Sequence, residues 1–157
     1  MYTELVFGAR LQPDLPQKVE KALKYMVRGT GKEPEELPDH EFFQSERWAR
    51  LFHCGSYYFG IHRPHAIMEW DDISNSYSLS TRSSIKNYDR EIDKFLDWVK
   101  PYVNQGSGTR GMFAMVCYEE DEAPTLYFLE EWWIGILFNI SLVYVGTTPF
   151  ILTYWIA

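Results

Sequence analysis

The chain has few cysteines, little basic charge, and none of the short motifs that usually betray catalysis. Cys54 and Cys117 are the only cysteines in 157 residues. One pair makes no disulfide framework, so the composition points to a reducing cytoplasm. Fifteen Lys and Arg against 22 Asp and Glu leave a net charge of −7. That argues against a binder of extended nucleic acid, because neutralising phosphates needs clustered cations. The opening MYTELVFGAR lacks the basic and apolar regions of a signal peptide. No H-x-E, C-x-x-C or H-E-x-x-H pattern occurs.

Charge is also missing from one end. Residues 132–157 hold no Asp, Glu, Lys or Arg, although these make up 24% of the chain. As a helix rising 1.5 Å per residue, about 20 apolar residues cross a bilayer. Trp132, Trp133 and Trp155 stand where interfacial aromatics would sit. Gly146 and Pro149 interrupt the segment, and the flanking runs 138–145 and 150–156 are rich in β-branched and aromatic residues. Three readings therefore stay open for this apolar tail: a membrane anchor, a buried hairpin, or an extension appended to a domain complete near Glu131.

At this length one domain of about 131 residues can bury its own core. Residues 3–11 read as a strand, with Gly8 marking a bulge or close approach. Asp14 and Gln17 fit a capping box, with Pro16 in the first turn of a helix carried by Val19, Leu23, Met26 and Val27 and closed by Gly29. A polar loop over 30–40 leads to a short helical stretch around Phe42, Phe43, Trp48, Leu51 and Phe52. Strands follow at 57–61 and 66–70, and a turn at 71–76 feeds an alternating strand through Tyr77, Leu79 and Thr81.

The clearest helix comes next. Asn87 caps it, Asp89 and Glu91 suit its first turn, and Tyr88, Ile92, Phe95, Leu96 and Val99 share one apolar face. Arg90/Asp93 and Lys94/Asp97 are spaced to pair, and Pro101 marks the end. A connector over 104–111 reaches a strand at 112–118, an acidic turn, and a last strand at 125–129. Short connections favour antiparallel neighbours. The expected fold is α+β, an antiparallel sheet with two main helices on one face, followed by the apolar tail.

Chemistry has few places to reside. Gly106 to Gly111 follows a helix and lacks the P-loop lysine, so it reads as a connector. Adjacent acids such as Asp71 and Asp72 point apart on a strand or are solvated in a turn. His40, His53, His62 and His65 fall close together in the sequence, and a metal-assisted hydrolase built on region 40–65 is the alternative to a binding role. Their spacing matches no recurring metal pattern, and the expectation is no catalytic residue, no metal and no cofactor. A ligand site is expected at Arg82, Ser83, Ser84 and Lys86, where a strand feeds a helix start. There hydroxyls, cationic groups and free N–H groups all favour an anion, with Tyr57 or Tyr88 stacking beside it.

The stretches YTELVFGA (2–9), SYYFG (56–60), STRSSIKNYDREIDKFLDWVKPYV (80–103) and CYEEDEAPTLYFLE (117–130) resemble uncharacterised small proteins encoded by phages and prophages of low-GC bacteria. The resemblance covers roughly residues 2–130 and excludes the tail. It implies a phage or mobile-element accessory protein that binds without catalysis and sequesters or inhibits a host factor. Its partner would be a host protein or a small anionic ligand. Its place would be the host cytoplasm, with membrane association if 132–157 inserts.

Overall fold

The computed structural model describes residues 1–56, 60, 62–104 and 111–129, together with the backbone pairing of Tyr144–Val145 with Thr148–Pro149. Of the strand expected at 57–61 only Gly60, in a turn, is described, and the core of the connector at 105–110 and the remainder of the tail lie outside the described residues. The elements run in order β1 (Thr3–Arg10), α1 (Gln17–Arg28), two 3-10 turns (Glu41–Gln44 and Trp48–Arg50), β2 (His65–Asp71), β3 (Ser76–Ile85), α2 (Glu91–Val99), a 3-10 turn (Lys100–Tyr102), β4 (Met112–Tyr118) and β5 (Thr125–Phe128).

These strands form one sheet in the order β2-β3-β1-β4-β5, and every neighbouring pair is antiparallel. The fold is α+β, as the element pattern predicts. The spatial order adds what the pattern alone lacked. From β1 to β4 the chain runs β-α-β-β-α-β, with β3 and β4 flanking β1, which is the split β-α-β connectivity of ferredoxin-like folds. β5 extends the sheet beyond β4.

Alternation along the strands sorts the side chains onto two faces. Leu5 and Phe7 of β1 stand opposite Ser83 and Thr81 of β3. All four are buried. Both helices lie on this face: Phe95 of α2 meets the Phe7 ring edge-on at 5.4 Å, and Glu20 of α1 accepts a hydrogen bond from the Tyr77 hydroxyl at 2.8 Å. A bulge between Met112 and Ala114 lets Phe113 and Ala114 both bury, and the Phe113 ring centroid stands 6.0 Å from that of Phe7. Gly8 marks no bulge. It pairs in register with Ser80, and nothing lies within 4 Å of where its Cβ would be.

The ends of α1 depart from expectation at one side only. Pro16 is the N-cap in an extended conformation, and no side chain caps the helix. The proline starts the helix by its own fixed φ, which leaves Asp14 too far upstream to reach the first amides. Gly29 closes the helix at φ 68°, its N–H donating to the Tyr25 carbonyl at 2.9 Å. A Cβ at Gly29 would stand 2.2 Å from the His53 ring, and that ring is itself bonded to the Met26 carbonyl. Gly29→Ala should therefore lose the roughly 1–2 kcal/mol of a left-handed alanine and more for displacing His53. Gly60 has nearly the same φ, 62°, with nothing within 4 Å of where its Cβ would be. In urea denaturation Gly60→Ala should lose less, and equal losses would remove His53 from the explanation.

α2 begins later than the sequence suggests. Arg90 is the N-cap in the left-handed region. The Asn87 side chain does cap, accepting the Ile92 N–H at 3.0 Å from outside the helix. Tyr88 consequently precedes the helix and is exposed instead of joining the apolar face, and Trp98 joins Ile92, Phe95, Leu96 and Val99 in the core. Arg90 pairs with Asp93 (Nε to Oδ2, 3.4 Å), whereas Asp97 faces His40 at 3.3 Å. A Lys94–Asp97 pair does not form among the described residues.

Candidate functional site

The residues expected to form an anion site are dispersed by the strand geometry. β3 continues through Ser83, Ser84 and Ile85, each paired with β1, so these positions belong to a ladder and not to a strand-to-helix junction. Their N–H groups do not open a helix. Ser83 points toward the helices and donates its hydroxyl to the Leu51 carbonyl. Arg82 and Ser84 point to the opposite face. Arg82 is half-buried and engaged in an interaction of its own. The Lys86 ammonium lies 5.6 Å from the centre of the Tyr2 ring. Tyr88 is exposed, with the Arg47 guanidinium 5.8 Å from its ring centre. Tyr57 lies outside the described residues.

The start of α2 already holds an anion, supplied by the chain itself. The Glu91 side chain is 1% exposed and pairs with Arg47, while the Asp89 N–H donates to Glu91 Oε2 at 3.2 Å. Arg47 also donates to the Lys86 carbonyl at 2.7 Å. A carboxylate beside a helix start meets the dipole that would draw a phosphate, and the Asn87 side chain takes the Ile92 N–H there. The sequence showed Glu91 as a first-turn acid. It gave no sign that Arg47, far away in the chain, would close over it.

The other face of the sheet carries no described helix. Its positions include Glu4 and Val6 of β1, His65 and Ile67 of β2, Ser80, Arg82 and Ser84 of β3, and Met115 and Cys117 of β4, as the cross-strand registers require, with Tyr2 just before β1. Tyr2, Ile67 and, on β5, Leu126 are among the exposed large apolar side chains. In the middle, Glu4 stands opposite Ser84 on one side and Cys117 on the other. Glu4 is fully buried and Ser84 is 5% exposed. Both Glu4 carboxyl oxygens and the Ser84 hydroxyl lack a hydrogen-bond partner. A buried carboxyl left unpaired is strongly unfavourable. Burial pushes the Cys117 thiol up, and the nearby Glu4 charge pushes it further. Strand alternation would assign Glu4 to a solvated face, so sequence reading passes over it.

The remaining polar groups have local duties. One His40 ring nitrogen accepts the Phe42 N–H at 3.2 Å and the other faces Asp97. His53 binds the Met26 carbonyl, His62 is exposed, and His65 stands 3.4 Å from the Ser80 hydroxyl. Among the described residues no group of three or more His, Cys, Asp or Glu converges as a metal site would require. Burial raises the Cys54 thiol, with Arg47 and Arg50 offsetting part of the effect. That is the opposite of an activated nucleophile.

Asp71 closes the β2–β3 turn by accepting the Ser74 hydroxyl at 2.7 Å and the Ile73 N–H at 3.0 Å, and these bonds hold its carboxyl below the usual range. An open groove of about 360 Å³ runs between α2 and the β4–β5 edge, lined by Arg90, Asp93, Lys94, Asp97, Phe113 and Tyr127 among others. Within it Arg90 pairs with Asp93, and the Tyr127 hydroxyl donates to Asp93 at 3.4 Å.

In comparisons with known proteins, no family model, no curated protein and no solved structure matches this chain.

Proposed function

We propose that the protein acts by binding without catalysis, as an accessory protein of a phage or mobile element that sequesters or inhibits a host protein in the host cytoplasm. The observation that carries this reading is the sheet face without a described helix. It carries exposed Tyr2, Ile67 and Leu126. Apolar side chains exposed together on one face of a sheet are the make-up of a protein interface. The resemblance of residues 2–130 to phage and prophage proteins supports the biological setting.

A protein partner is favoured over a small anionic ligand. The α2 start is filled by Glu91, and Lys86 lies over Tyr2. The tail residues 132–157 enter neither argument. Among the described residues no helix is long and apolar enough to cross a membrane.

The test is affinity capture from host cells with three variants compared against the unaltered chain. Ile67→Asp and Leu126→Asp place charge on the helix-free face, and Lys21→Glu alters an exposed position of α1. The expected result is one stoichiometric host protein, kept by Lys21→Glu and lost at least tenfold in both face variants. Purified, that protein should also lose its own activity when the chain is added. If both face variants retain the partner, this face is not the interface. If no partner is captured at all, the binding role fails.

A further inference from the structure

We infer that the tip of the β2–β3 hairpin is a rigid anchor, with Ile73 and Trp70 entering an apolar socket of the protein partner whose rim carries lysine or arginine. This contact rests on the binding role proposed above and adds to the sheet face a second point of attachment. Ile73 is 98% exposed and Trp70 is 41% exposed. A lone exposed apolar side chain is ordinary on a protein surface. These two differ because their surroundings hold them in place without covering them. The loop 72–75 joins Asp71 to Ser76, the last pair of β2 and β3. Aspartate, serine and asparagine are turn residues, and Asn75 takes the left-handed region at φ 48°. Isoleucine is not, since β-branched side chains suit strands. Ile73 donates its N–H to Asp71 Oδ1 at 3.0 Å, a bond that its side chain has no part in. The Ser74 hydroxyl donates to Asp71 Oδ2 at 2.7 Å and stands 2.7 Å from the Ser76 hydroxyl. The loop is thus fixed by its neighbours, and the isoleucine side chain makes almost no packing contact in return.

Trp70 is held as firmly. Its indole N–H donates to Asp72 Oδ1 at 2.9 Å. Its ring meets Tyr77 edge-on at 4.9 Å, and the Tyr77 hydroxyl is bonded in turn to Glu20 of α1. An exposed aromatic that is already fixed loses little freedom on binding, and tryptophan is enriched where interfaces concentrate their energy. Charge selects the kind of partner. Glu69, Asp71 and Asp72 lie beside the two anchors in the chain. Among the described residues none of these acids forms an ion pair. Hydrogen bonds from Ser74 and Ile73, and more weakly the Arg10 charge, hold the Asp71 carboxyl low, so it stays ionised. Acids around an apolar tip oppose a lipid surface, whose headgroups are neutral or anionic, and favour a basic rim. β2 also carries exposed Ile67, so one strand leads from the sheet face to the tip.

Ile73→Ser separates a binding role from a structural one. Serine keeps the N–H that Asp71 accepts and suits the turn, so the variant should melt within about 3 °C of the unaltered chain. The host protein captured by the unaltered chain is then purified and titrated with each full-length variant by calorimetry. Ile73→Ser is expected to weaken binding at least tenfold. Asp72→Asn keeps an acceptor for the Trp70 indole and removes one charge. It should weaken binding at low salt, with the difference fading at high salt. A photo-crosslinking benzoylphenylalanine in place of Ile73 should attach to apolar residues of the purified partner that are bordered by lysine or arginine.

A partner held equally by Ile73→Ser and the unaltered chain overturns the anchor, and the binding role stands if Ile67→Asp still loses that partner. A crosslink to a partner surface without basic residues overturns it as well. So does a melting temperature far below that of the unaltered chain, which would make Ile73 a structural residue. Vesicles of phosphatidylcholine and phosphatidylserine provide the last arm. Co-sedimentation of the full chain that disappears in Ile73→Ser would assign the tip to a membrane and overturn the protein socket. Failure to capture any partner sinks the binding role itself, and the anchor with it.

Discussion

Phe95→Ala is expected to remove about 3–5 kcal/mol of stability, as truncation of a fully buried phenylalanine does. Phe95 is 0% exposed. Its ring centroid lies 5.4 Å from Phe7 in the sheet, 5.6 Å from Phe42 in the first 3-10 turn and 5.2 Å from Phe52 just beyond the second. One side chain thus ties α2 to the sheet and to the long segment between α1 and β2. Edge-to-face contacts of this kind add to the area buried, and alanine would lose both together. Against a total stability of about 5–15 kcal/mol, such a loss leaves a marginal fold. Urea denaturation of the full chain measures it. Phe95→Leu, which refills most of the volume, should recover more than half. A loss under about 1 kcal/mol for Phe95→Ala would mean that these rings do not form one core.

Arg47→Ala should follow closely, at about 3 kcal/mol, because it strands a buried carboxylate. The pair is asymmetric: the Arg47 side chain is 36% exposed and that of Glu91 is 1% exposed. Removing the arginine leaves Glu91 with the Asp89 N–H as its remaining described donor and frees the Lys86 carbonyl as well. Removing the acid is milder, since Glu91→Gln keeps an acceptor for Asp89 and Arg47. The double change Arg47→Met with Glu91→Met takes away both charges and should regain at least half of the loss, as buried pairs replaced by apolar groups commonly do. Equal losses for Arg47→Ala and the double variant would show that packing, and not the stranded charge, sets the cost.

Both predictions concern contacts that sequence reading anticipated in part. Phe95 was legible as core from its place beside Ile92, Leu96 and Val99 at helical spacing, and its ring partners were not. The strand boundaries of β4 match the sequence reading, and those of β1 differ from it by one residue at the C-terminal end. Local chemistry dictates them: β-branched and aromatic residues alternate, and turn residues stop them. The strand-to-helix junction expected at Ser83 and Ser84 is displaced for a related local reason. Ser83 and Ser84 look like turn and cap residues by composition, yet β1 pairs with them and draws the strand on to Ile85. Hydroxyl residues take a strand as readily as a cap when a neighbouring ladder satisfies their backbone.

What the sequence determined by itself, among the described residues, was the presence of β1 to β5, α1 and α2 and most of the face each helix buries, since these follow from periods of 2 and 3.6 that act over a few residues. It also determined the acidic charge balance and the lack of a local catalytic motif. Only the tertiary structure decided the strand order, the pairing of Arg47 with Glu91, and the burial of Glu4 between Ser84 and Cys117. Each depends on which distant segments lie side by side. A strand's own alternation states that Glu4 and Leu5 face opposite ways, but not which face the helices will cover. It cannot state that a carboxyl on the helix-free face will be enclosed without a donor.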